Sequence, residues 1–218
     1  MIAWKNIEIV LLDMDGTLLD LNFDNYFWLE FVPQRFAEKN QLSLAEAKQQ
    51  LIPQFKKMEG TLEWYCLDYW SDNLDLDITA LKAEVSGLIS VLPHVVEFLD
   101  VIKQSSRKLI LVTNAHRNSL DLKMQKTCLQ LFFDQIISSH DYGFPKEDQR
   151  FWARLQQQHP FDMDKTLLVD DSLAVLNAAK CYGIKHLVSI SQPDSKLEAR
   201  KIEGFPAIQD FRELLLTL

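Results

Sequence analysis

Hydrophobic positions along the chain fall into two rhythms. Short apolar runs rich in Ile, Val and Leu recur at Ile7 to Leu12 (IEIVLL), Lys108 to Val112 (KLILV), Gln135 to Ser138 (QIIS), Thr166 to Val169 (TLLV) and Lys185 to Ile190 (KHLVSI). Runs of this length and composition read as buried strands packed on both faces. Between them, apolar residues return every three or four positions, as on one face of a helix. Pro93 opens one such stretch, through Val96, Phe98, Leu99 and Ile102, since proline suits a first helical turn. A second carries Leu120, Met124, Cys128 and Leu131, and a third runs from Ser172 through Leu173, Leu176 and Ala179 to Gly183, a residue suited to closing a helix. Alternating strand and helix predict an α/β fold, a doubly wound and mostly parallel sheet of the Rossmann-like kind.

The rhythm changes between about Leu21 and Leu92, where no strand pattern occurs and aromatic and charged residues alternate at helical spacing. The spacing predicts an α/β core formed by residues 1–20 and 93–218, interrupted after its first strand by a helical insertion, residues 21–92. Pro33 and Pro53 punctuate the insertion, and Ser43 with Glu46 three residues later forms the signature of a capping box. An insertion at this point lies beside the carboxyl edge of the sheet, where open α/β sheets bind ligands. A lid there would exclude water and select the substrate.

Composition narrows the functional classes. The 218 residues carry 31 acidic against 23 basic side chains, a net charge of −8, with 47% hydrophobic content. This balance argues against a nucleic-acid partner, because phosphate backbones are held by clustered Lys and Arg. No apolar run reaches membrane-spanning length, and the first residues show no signal-like stretch, so a cytoplasmic protein with no membrane partner is expected. Cys66, Cys128 and Cys181 are far apart and lack a CxxC spacing; they read as reduced core thiols. His94, His116, His140, His159 and His186 show no HxxxH pairing. A dedicated transition-metal site is therefore not expected, and any metal should be a hard one.

The chemistry concentrates at the predicted strand ends. Asp13 and Asp15, two residues apart after the first strand, place two carboxylates near one space, where their repulsion calls for a cation or a proton. A bound Mg²⁺ answers that need and requires further oxygen ligands, which Asp170 and Asp171 supply from the end of another strand. Thr113 and Asn114 offer a hydroxyl and an amide to phosphate oxygens, and Lys146 offers an ammonium. A nucleophile, a proton-transfer group, a metal and a cation are the parts that phosphoryl transfer needs.

These motifs, in this order, resemble those of haloacid dehalogenase (HAD) superfamily hydrolases over the whole chain. The resemblance implies an aspartyl-phosphate on Asp13, acid and base catalysis by Asp15, and a phosphoryl group held by Thr113 and Lys146. It also implies Mg²⁺ held by Asp13, Asp171 and the backbone carbonyl of Asp15, with Asp170 acting through water, and a helical cap of the type 1 position. An acid at residue 15 favours phosphate esters over haloacids, because a sugar alkoxide leaves poorly without a proton donor.

A narrower similarity, to bacterial GMP/IMP 5'-nucleotidases, rests on Phe23-Asp24-Asn25-Tyr26-Phe27-Trp28, Trp64 to Trp70, Thr113-Asn114-Ala115-His116 and Gly143 to Arg150. It implies a small phosphomonoester as partner, a purine nucleoside monophosphate. Tyr65 and Tyr69 are candidate base platforms, and Asp68 is a candidate acceptor for the N1–H that guanine and hypoxanthine share. Trp64, Tyr65, Tyr69 and Trp70 can equally form the core of a helix bundle. Glu147 and Asp148 read as first-turn helix acids, Arg150 as a surface residue and His116 as a loop histidine with satisfied partners. The alternatives are a phosphosugar phosphatase or phosphomutase and, outside enzymes, a phospho-accepting signalling module. Receiver domains, however, place their acidic pair after the first strand and the phosphorylated Asp after a middle one.

Overall fold

The computed structural model describes residues 2–215. Its sheet contains β1 (Ile9–Leu12), β2 (Lys108–Thr113), β3 (Gln135–Ser138), β4 (Thr166–Asp170), β5 (His186–Ile190) and β6 (Ala207–Ile208), in spatial order β3-β2-β1-β4-β5-β6. All pairings are parallel. β1 sits between β2 and β4, with Leu12 opposite both Leu111 and Val169. That register aligns the carboxyl ends of the three central strands, so the residues that follow them emerge at one edge. Successive side chains on β1 enter opposite layers: Val10 and Leu12 join one buried cluster, Leu11 the other. This two-sided burial explains why the strand reads as unbroken apolar sequence.

Within residues 21–92 the α-helices are α1 (Asn22–Tyr26), α2 (Val32–Asn40), α3 (Leu44–Met58), α4 (Leu62–Tyr65), α5 (Leu67–Leu74) and α6 (Ile78–Glu84). A π turn over Phe27–Phe31 joins α1 to α2. The Ser43–Glu46 capping box is present, with both reciprocal hydrogen bonds. These helices enclose their own core of Phe27, Trp28, Phe31, Leu51, Phe55, Trp70 and Ile78. Trp70 is 1% exposed and meets Phe55 edge to face at 5.0 Å, so the aromatic residues of this stretch serve largely as packing. The chain enters and leaves the insertion side by side: Leu92 N–H donates to Leu18 O, Asp20 N–H donates to Ser90 O, and Leu19 bridges Val91.

The sheet is flanked by α7 (Val95–Gln104), α8 (Arg117–Thr127), α9 (Gln149–Gln158) and α10 (Leu173–Tyr182), and α11 (Arg212–Leu215) follows β6. Ser172 caps α10 and Gly183 closes it at φ 117°. Three expectations need correction. Pro93 lies in a turn, not in a first helical turn, because His94 adopts φ 61° and α7 starts at Val95. α8 stops at Thr127 where Cys128 turns left-handed, leaving Leu131 67% exposed. The cysteines are not core thiols: Cys128 and Cys181 are exposed, and Cys66 is half-buried. Among the described residues no helix is long and apolar enough to cross a membrane.

Candidate active site

The loop after β1 carries Asp13 and Asp15. Asp13 continues the ladder, its N–H donating to Val169 O at 3.0 Å, which fixes its carboxylate beside β4. Gly16 then turns back at φ 80°, so close to the β4 loop that a Cβ there would lie 2.7 Å from Asp171 Cγ. Only glycine permits this approach. The ends of β2 and β4 add Thr113 with Asn114, and Asp170 with Asp171. Lys146 arrives from the loop before α9, its N–H donating to Asn114 Oδ1 at 2.9 Å.

Lys146 is 2% exposed and lies at the centre. Its Nζ donates to Asp13 Oδ1 at 2.5 Å, Asp170 Oδ2 at 2.7 Å and Val112 O at 3.1 Å. Burial alone would lower this ammonium, but Asp13 and Asp170 outweigh it and hold the charge firmly. Asp13, Asp170 and Asp171 bring carboxylate oxygens within 4.8 Å of one another. Burial raises the Asp13 carboxyl to about 6, with Lys146 opposing and Asp170 adding to the rise. Asp171 is pushed well above the usual carboxylate range by burial and by the charges of Asp170 and Asp13; Arg200, 3.7 Å away, opposes it weakly. Two buried carboxylates thus bond one ammonium directly, and a third, partly exposed, lies beside them. Such an all-oxygen set with surplus negative charge fits a hard divalent cation, Mg²⁺ in particular.

Asp15 has a separate environment. Its Oδ1 accepts from Lys123 Nζ at 2.7 Å, and the same nitrogen donates to Asp24 Oδ2 at 2.6 Å. Asp24 Oδ1 in turn accepts from Lys82 Nζ at 2.6 Å. Lys82 lies over the Phe23 and Phe27 rings at 4.8 and 4.7 Å. Burial raises the Asp15 carboxyl to about 6 against the pull of Lys123, a value suited to a group that gives and takes a proton near neutrality. Lys123, Asp24 and Lys82 carry no role in the sequence reading. The available signal is Lys123 itself, a charged residue on the same buried helical face as Leu120 and Met124.

These groups, Lys123 behind Asp15 excepted, open on a cavity of about 550 Å³, within the range of ordinary ligand sites. The core lines it with Asp13, Asp15, Thr113, Asn114, Lys146, Asp170 and Asp171, and the insertion with residues that include Trp28, Ile52, Phe55, Lys56, Glu59, Trp64 and Tyr65. Thr113 is 1% exposed, with Oγ1 accepting from Ala115 N–H at 3.1 Å. Tyr65 donates to Glu147 Oε1 at 2.7 Å, and Glu147 Oε2 accepts from Asn114 Nδ2 at 2.9 Å. Glu147 is therefore not a first-turn helix acid; Asp148 is the N-cap of α9, and Glu147 ties the insertion to Asn114 at the end of β2.

Two candidates fall outside this lining. Asp68 is 72% exposed and lies 3.6 Å from His116 Nε2, and Tyr69 packs against Trp70 with its hydroxyl directed at Met58 Sδ. α5 turns its buried face, Leu67 and Trp70, inward, which carries Asp68 and Tyr69 away from the cavity. His116 is not satisfied as expected: its Nδ1 is buried without a hydrogen-bond partner. Arg150 is exposed as expected, paired with Asp148 and stacked on Phe144 at 4.2 Å.

Comparison with known proteins agrees with this geometry. The family model for haloacid dehalogenase-like hydrolases matches residues 10–189. The chain is 41% identical over 217 residues to the GMP/IMP nucleotidase YrfG of Escherichia coli (strain K12), covering 100% of this chain and 98% of that protein. It is 24% identical over 191 residues to a phosphorylated carbohydrates phosphatase of Thermotoga maritima, covering 84% of this chain and 85% of that one. In fold it is similar to a HAD phosphatase crystal structure from Thermococcus onnurineus, at TM-score 0.81 and 21% identity, with 97% of each chain covered.

Proposed function

The chain belongs to the haloacid dehalogenase-like hydrolase family, and on that footing we propose that it is a Mg²⁺-dependent phosphatase of purine nucleoside 5'-monophosphates, GMP and IMP, working in the cytoplasm. The observation that carries the reading is the shared cavity: Asp13, Asp15, Thr113, Lys146 and Asp171 line it together with aromatic residues and with Lys56 and Glu59 from the insertion.

In this reading residues 21–92 act as the cap and the remainder as the catalytic core. Asp13 attacks phosphorus, forming an Asp13–phosphate bond as the bond from phosphorus to the 5' oxygen breaks. Asp15 donates its proton to the departing alkoxide, then accepts a proton from the water that attacks the acyl phosphate, releasing phosphate and restoring Asp13. Lys146, Thr113 and Asn114 hold the phosphoryl oxygens and balance their charge. Asp13, Asp171 and the Asp15 backbone carbonyl would hold Mg²⁺, with Asp170 behind them, and the ion supplies neutralisation of the dianion as Asp13 approaches. Lys123 fixes the Asp15 carboxylate in place for both proton transfers.

Base selection falls to the lining that the insertion contributes. Guanine and hypoxanthine present an O6 acceptor beside an N1–H donor, whereas adenine presents an amino donor beside an N1 acceptor. Lys56 and Glu59, three residues apart on the cavity lining and without an ionic partner among the described residues, match the first pattern as donor and acceptor and oppose the second. Trp28, Phe55 and Trp64 supply apolar surface to the ring. Phosphate release from GMP, IMP, AMP and phosphosugars, each with Mg²⁺, tests the proposal. Turnover of GMP and IMP well above the others is expected; rapid phosphosugar turnover with negligible purine nucleotide turnover would overturn it.

A further inference from the structure

Cys66, His116 and His140 form no recognisable spacing in the sequence, yet the fold gathers them. Cys66 sits at the junction of α4 and α5 in the insertion, His116 directly precedes α8 after β2, and His140 lies in the single turn after β3. One ligand atom from each lies within 4.8 Å of the other two. The imidazole rings meet edge to face, with centroids 5.0 Å apart. His116 Nδ1 and His140 Nε2 are both buried without a hydrogen-bond partner. Two orphaned ring nitrogens in one cluster are costly unless something binds them.

The surroundings resemble the outer shell of a metal centre. The unpartnered Nε2 of His140 and Nδ1 of His116 are buried beside the Cys66 thiol, where each can turn a ring lone pair to an ion. The Asp68 carboxylate, 3.6 Å from His116 Nε2, is placed as carboxylates that orient metal-bound imidazoles are. A thiol and two imidazoles suit a borderline-soft ion, whereas the three carboxylates beside Lys146 suit a hard one.

We propose that Cys66, His116 and His140 are the protein ligands of a second metal site, selective for Zn²⁺ over Mg²⁺, that cross-links the helical insertion to the sheet. Binding releases the Cys66 thiol proton to solvent and forms one metal–sulfur and two metal–nitrogen bonds, with the fourth position left to water. His116 also lines the catalytic cavity. An ion there ties the insertion to the sheet beside the cavity through ligands separate from the carboxylate site.

Co²⁺ titration of the full-length protein, reduced and saturated with Mg²⁺, tests the assignment. One equivalent should bring up a thiolate-to-cobalt charge-transfer band that Zn²⁺ abolishes. The band should vanish in Cys66→Ser, persist in Cys128→Ser and Cys181→Ser, and require at least about tenfold more Co²⁺ in His140→Gln. X-ray absorption of the zinc-loaded wild type, which depends on no variant folding, should show one sulfur and two imidazole nitrogens. Absence of the band, its survival in Cys66→Ser, or a zinc shell of oxygen alone would overturn the proposal.

Discussion

Lys123→Met offers the sharpest test of the charge row behind Asp15. The substitution keeps the apolar stem of a residue that is 1% exposed and removes the cation shared by Asp15 and Asp24. Asp24 keeps Lys82 at 2.6 Å, while Asp15 loses its one ionic partner. Removing one member of a buried pair costs about 3–5 kcal/mol. For a chain of this size that lowers the melting temperature by roughly 6–20 °C. The pH dependence has a definite sign. Burial would raise the Asp24 carboxyl, but Lys123 and Lys82 outweigh it and hold it at about 2, against a usual 3.8. A depressed carboxyl adds stability above its unfolded value, here about 2 kcal/mol, and that contribution disappears as pH falls from about 4 towards 2. Urea unfolding of wild type, Lys123→Met, Asp24→Asn and the double variant at pH 7 should give a coupling of about 1–3 kcal/mol. Acid melts of Lys123→Met should lose most of the dependence below pH 4. A Lys123→Met protein within about 1 kcal/mol of wild type, or a strictly additive double variant, would refute the reasoning.

Other outcomes follow from the same geometry. Asp13→Asn should lower phosphate release by at least about 10⁴-fold with an unchanged circular dichroism spectrum, and Asp15→Asn by about 10²–10⁴-fold. Without metal, the raised carboxyls of Asp13 and Asp15, both about 6, stabilise the fold below pH 3.8 and lose that contribution as pH rises through 6. Mg²⁺ should therefore raise the melting temperature more at pH 7 than at pH 5, and EDTA should reverse it; an equal shift at both would contradict the carboxylate site. Gly16→Ala sets a methyl against Asp171 at positive φ and should raise the Mg²⁺ concentration needed for half-maximal activity at least about tenfold. Glu59→Gln should cut the GMP-to-AMP selectivity about tenfold or more, while Asp68→Asn should leave it unchanged, both read as ratios of kcat/KM.

The parts of the molecule that were legible in sequence are those where one local rule decides. β1 through β5 are short runs buried on both sides, and each declared itself within two residues of its observed ends. β6 did not, because Ala207 and Ile208 acquire strand geometry only by pairing with Ser189 and Ile190. The groups that converge, Asp13, Asp15, Thr113, Lys146, Asp170 and Asp171, were visible because each follows a strand or precedes a helix at the same sheet edge. The lining from the insertion was harder. Asp68 and Tyr69 sit one position off the inward face of α5, an angular difference that spacing alone does not resolve, while Lys56 and Glu59 show as cavity residues only once α3 is packed. Cys66, His116 and His140 were invisible for the same reason: their proximity is a product of three loops and no one segment encodes it.

The paired crossing at residues 18–20 and 90–92 limits how the two parts of the chain can move. Two chain segments joined by hydrogen bonds from Asp20 to Ser90 and from Leu92 to Leu18 form one ribbon, stiff to shear and compliant to bending. A swing of the insertion would carry both segments about a shared hinge line, like a door and not like a floating plate.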